Sequence, residues 1–114
     1  MDTQENNVIV DETFTFAPDQ TPKSNTVAFT EFKPGTNWCN GTCGNYWFEA
    51  KLFDTGSMFG INDGRVSKLH IRDGNGKDVV NYDRGWDIRP KTGDIKEAYN
   101  AILAFLEVAP KRFE

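Results

Sequence analysis

The stretch "YWFEAKLF" at residues 46–53 alternates with a period of two. Tyr46, Phe48, Ala50 and Leu52 fall on one side, Glu49 and Lys51 on the other. A helix would scatter that set around its circumference, whereas a half-buried strand gathers it on one face. "VSKLHIR" (66–72) repeats the pattern, with Leu69 and Ile71 turned in and Lys68, His70 and Arg72 turned out. The "DGNG" that follows at 73–76 holds Asp-Gly and Asn-Gly steps, a strong hairpin signal. It leads into "KDVVNYD" (77–83), where Val80 and Tyr82 share a face, and "TVAFTEF" (26–32) is a further strand candidate. Residues 33–45, rich in Gly and Asn, read as a loop. Residues 54–65, with Gly56, Gly60 and Gly64, read as a long turn.

The period changes after residue 93. Ile95, Ala98, Tyr99, Ile102, Leu103 and Leu106 recur at helical spacing and form one apolar stripe. Asp94 reads as the N-cap, with Glu97 completing a capping box, and Pro110 closes the helix. The expected fold class is α+β: a three- to four-stranded antiparallel meander with one C-terminal helix packed on one face. The other face would carry Glu49, Lys51, Lys68, His70 and Arg72 into solvent.

A chain of 114 residues suits one domain with a modest core. We divide it into a flexible acidic N-terminal arm, residues 1–25, and a single α+β domain, residues 26–114. Charge supports that division. Residues 1–20 hold five acidic side chains and no Lys or Arg; the remainder holds 13 basic and 12 acidic ones. Within the arm, "FTF" at 14–16 alternates like a short strand. No cluster of cations suggests direct nucleic-acid binding, and no apolar run approaches a membrane span. With no basic-then-apolar start, the expected location is the cytoplasm.

Candidate chemistry is sparse. Cys39 and Cys43 frame "CNGTC", but two thiols and a single histidine fall short of a tetrahedral zinc set, so we expect reduced thiols and no metal or other cofactor. His70 has no strand-mate to serve as a nucleophile, since Ser67 lies on the opposite face. Asp83 and Asp87 lie among Arg84 and Arg89, a poor setting for an acid/base pair. Gly56, Gly60 and Gly64 lack the spacing and the following helix of a phosphate loop. These readings point away from an enzyme. Met58, Phe59 and Ile61 lie in that glycine turn and are expected to fold back onto the core.

"NYDRGWDIRP" (81–90) crowds aromatics, arginines and aspartates around Gly85. One reading makes Trp86 a cap on the open end of the sheet–helix core, with Arg84 and Arg89 paired to nearby aspartates. The other makes Tyr82, Arg84, Trp86 and Asp87, with Met58 and Phe59, a contact patch, because Trp, Tyr and Arg are the types enriched in binding hot spots.

The run "YWFEAKLFDTGSMFGINDGRVSKLHIRD" followed by "VVNYDRGWDIRP" resembles a small uncharacterised domain family of phages and of gut or Gram-positive bacteria, over about 46–106. The resemblance rests on "FGINxGRVSKL" and "NYDRGWD" and carries over no catalytic residue. It implies a phage or mobile-element setting. The expected function is therefore a non-enzymatic protein-binding module, in concrete form a phage-encoded, anti-CRISPR-like inhibitor that blocks a host defence nuclease complex. The alternatives are a self-associating structural or regulatory protein, and a small ligand-binding protein or enzyme using the polar sheet face around His70.

Overall fold

The computed structural model describes residues 26–33 and 35–111. The N-terminal arm, with the strand expected at "FTF", lies outside them. Six strands form one antiparallel sheet in sequence order: β1 (Val27–Phe32), β2 (Trp38–Cys43), β3 (Tyr46–Leu52), β4 (Val66–Arg72), β5 (Asp78–Asp83) and β6 (Trp86–Ile88). One helix, α1 (Gly93–Glu107), covers one face. The α+β meander with a C-terminal helix thus stands, with six strands rather than three or four.

The two added strands come from segments read as irregular. "WCNGTC" is β2, paired to β1 on one side and β3 on the other. Its Gly and Asn are poor strand formers, but tertiary packing overrides that preference. A Cβ on Gly41 would run into the Ala28 carbonyl and the Phe48 ring, so the missing side chain is what lets Phe48 lie across β2. The corner at Gly85 is a hairpin whose second arm, Trp86–Ile88, is β6.

The alternation of β3 is kept. Phe48, Ala50 and Leu52 are buried against α1, with Leu69 and Ile71 of β4 and Val80 and Tyr82 of β5 beside them. The helix contributes Ala98, Ile102 and Leu106 to that core, and its Phe105 ring meets Phe29 of β1 at 4.8 Å. Its N-cap is Thr92, not Asp94: the Thr92 hydroxyl accepts the Ile95 N–H at 3.4 Å, and Asp94 sits in the first turn. A residue already in helical conformation cannot cap, and the extended backbone of Thr92 places its oxygen over the free amides.

At the other end, Arg65 holds the helix to the sheet. Its Nη1 donates to the carbonyls of Glu107 at 2.9 Å and Ala109 at 2.6 Å, and its Nε to that of Phe53 at 2.8 Å. Its backbone N–H donates to the Glu107 carboxylate at 2.9 Å. A cation at the carbonyl end of a helix is where the helix dipole favours one. A Cβ on Gly64 would collide with that carboxylate, so the Gly-Arg step is set by this junction.

Candidate functional site

The sheet face away from α1 is not uniformly polar. Trp38, Trp47, Glu49, Lys51, Lys68, His70 and Arg72 share it, and strand register decides which of them meet. Lys51 and Lys68 stand directly opposite one another. Both ammonium groups lie 5.8 Å from the Trp38 ring, and Lys51 lies 5.7 Å from Phe53. Farther along, His70 Nε2 and Arg72 Nε reach the same Asp78 oxygen, at 2.7 and 3.1 Å. Those two hydrogen bonds, His70 first, hold the Asp78 carboxyl below its ordinary range. Arg72 also lies over Trp47 at 5.4 Å. His70 is thus engaged in a surface cluster.

Past β3 and before β4, residues 53–65 fold into a tight loop that packs on itself. Gly56 lies close against the Asp63 carbonyl and Gly60 against that of Gly64, leaving no room for a Cβ at either. Ile61 is buried as expected, but Met58 and Phe59 are 79% and 53% exposed, contrary to the expectation that all three fold back. The successive turns point one apolar residue inward and leave the two before it outside. The Tyr82 hydroxyl donates to the Phe59 carbonyl at 3.0 Å, which ties the loop to β5.

The β5–β6 hairpin stands beside this loop. Arg84 has φ of 57°, the left-handed region where side chains are unfavourable. Its N–H donates to the carbonyl of Ser67, the bulged residue of β4, at 2.9 Å. Asp83 meets both Arg84 at 3.5 Å and Lys68 at 3.6 Å.

Loop, hairpin and strand ends line a half-open cavity of about 490 Å³. Lys51, Lys68 and Arg84 bring three cations to its wall; Phe53 and Phe59 bring rings; Thr55, Ser57 and Ser67 bring hydroxyls. Such a site attracts anions with an apolar part. Sequence reasoning placed Arg84 and Phe59 in a contact patch but missed Lys51 and Lys68. Their meeting depends on register across the β3–β4 loop, which residue spacing alone does not give.

The expected patch divides in the structure. Arg84, Met58 and Phe59 stand at the loop–hairpin end of the sheet. Tyr82 is buried. Trp86 packs on the helix side, edge-on to Tyr82 at 5.1 Å and Tyr99 at 5.6 Å, with Arg89 over its ring at 5.0 Å. Asp87 is exposed near Asn81.

Cys39 and Cys43 are both buried under α1 rather than placed in a loop. Four residues apart on one strand, their Cα atoms stand about 13 Å apart, too far for a disulfide between them. The Cys39 thiol donates to the Ala50 carbonyl at 3.7 Å, and burial pushes the Cys43 thiol up. Among the described residues no group of three or more His, Cys, Asp or Glu side chains is placed to hold a metal, and no helix is long and apolar enough to cross a membrane.

No curated protein and no solved structure matches the chain. A family model described as "Domain of unknown function (DUF7678)" matches residues 37–107, which run from the residue before β2 to the last residue of α1. That span starts earlier than the likeness read from the sequence and leaves β1 outside. Covering well over half of the 114 residues, from the cationic cavity to the Arg65 junction, the match makes this chain a member of the DUF7678 family.

Proposed function

We propose that this domain is a non-enzymatic binding module that engages a partner protein at the end of the sheet where the 53–65 loop meets the β5–β6 hairpin. One observation carries the reading: Met58 and Phe59 are exposed on a loop held in place by buried Ile61 and by the Tyr82–Phe59 hydrogen bond, and Phe59 lines a cleft together with Arg84. Large apolar side chains fixed in solvent next to an arginine are the composition of an interface centre. In its most concrete form the partner is a protein of a bacterial defence system, with the domain blocking its surface; that form rests on size, acidity and resemblance.

The test compares wild type with a Met58→Ser/Phe59→Ser double variant. Met58 is largely and Phe59 about half exposed, so stability should fall by no more than about 1–1.5 kcal/mol. Tagged wild-type protein mixed with purified defence nuclease complexes should retain one of them, and the double variant should lose it. Equal retention by both proteins would remove the loop from the account; retention of none by wild type would remove the defence partner.

A further inference from the structure

We propose that the cavity bounded by Lys51, Lys68 and Arg84 is a binding site for a small phosphate ester with a flat apolar body, of mononucleotide size. The inference goes beyond the partner surface and does not rest on it, although Phe59 and Arg84 border both.

Three features converge on this cavity. The first is the cross-strand pair Lys51 and Lys68. Like charges directly opposite on a sheet repel. Here the two cations lean on the Trp38 and Phe53 rings, and among the described residues no carboxylate forms an ion pair with Lys51. The second is Arg84, whose side chain enters the cavity wall from a left-handed backbone that glycine would adopt without strain. Strain kept where a cation lines a cleft, its side chain still 64% exposed, points to a ligand. The third is the sharing of one carboxylate. Asp83 meets both Lys68 and Arg84, so among the described residues one carboxylate supplies the ion pairs of both cations.

The charge left over suits a dianion. A phosphate presents several oxygens at once, matching a planar guanidinium fork with two ammonium point charges. Phe53 and Phe59 supply apolar ring surface for the body of the ligand. A volume of about 490 Å³ lies within the range of small-molecule sites.

Isothermal titration calorimetry on the full chain tests this with adenosine 5′-monophosphate, adenosine, inorganic phosphate and benzoate. The monophosphate should bind saturably, at least about tenfold tighter than each of the other three. Lys51→Met and Arg84→Gly should each weaken it about tenfold while leaving the circular dichroism spectrum unchanged. Met58→Ser, outside the cavity lining, should leave it unaltered, which separates this site from the partner surface. No saturable binding of the monophosphate up to about 5 mM would overturn the proposal. So would equal binding of adenosine, which removes the anion; of phosphate, which removes the rings; or of benzoate, which removes the ester. Unchanged affinity in both cavity variants would place any binding elsewhere.

Discussion

Arg84 illustrates how much a single backbone angle can say. In the left-handed region a non-glycine residue costs about 1 kcal/mol or more, and Arg84 is held there by its N–H bond to Ser67. Arg84→Gly should therefore raise stability by about 0.5–1 kcal/mol in urea unfolding, even as it weakens anion binding. Gain of stability with loss of binding is the signature of a residue kept for its side chain. Asp78 offers a second test at this scale. Hydrogen bonds from His70 and Arg72 lower its carboxyl below the ordinary 3.8. A lowered folded-state value means the cluster's stabilisation is fully present above the ordinary value and fades as pH falls through the lowered one. Carboxyl NMR should show Asp78 titrating below 3.8 in wild type and moving upward in His70→Ala.

At the scale of elements, the junction of α1 with the 53–65 loop is the point most sensitive to change. Arg65→Ala removes charge-assisted hydrogen bonds to the Glu107, Ala109 and Phe53 carbonyls and should cost about 2–3 kcal/mol. Hydrogen exchange should then rise first in the last turn of α1. Gly64→Ala pushes a methyl into the Glu107 carboxylate, which can swing aside only by giving up the Arg65 N–H, and should cost about 0.5–1.5 kcal/mol by the same readout. Thr92→Ala should cost about 1 kcal/mol and Asp94→Ala less, because Thr92 is the cap. These elements also show what a sequence can display. β3, β4 and β5 were legible because each buries one face and alternates. The helix was legible because Ile95 through Leu106 keep one stripe. β2 was hidden because Gly41 is required by Phe48, a residue seven positions away on another strand, and β6 because three residues hold too little pattern. The cationic cavity was hidden for a related reason: Lys51 and Lys68 become neighbours only once the chain has doubled back.

For the whole molecule, the buried thiols report on integrity. Cys39 and Cys43 are each 1% exposed beneath α1 and cannot reach one another along β2. Oxidant should leave the folded protein without an internal disulfide, and a thiol reagent should react only at the rate of unfolding; fast labelling in native buffer would show that α1 lifts away. The sheet follows the order of the chain from β1 to β6, and the helix that covers it comes last. Synthesis therefore lays down the entire apolar floor before its roof. Each strand pairs with its predecessor, and every connection except the 53–65 loop is short, so pairing is local and rapid. Yet Phe48, Leu69 and Ile71 stay wet until the fifteen residues of α1 are made, an interval of about 1–3 s at about 5–20 residues per second. Until α1 docks, the finished sheet shows one greasy side, the form of this protein that a chaperone would meet.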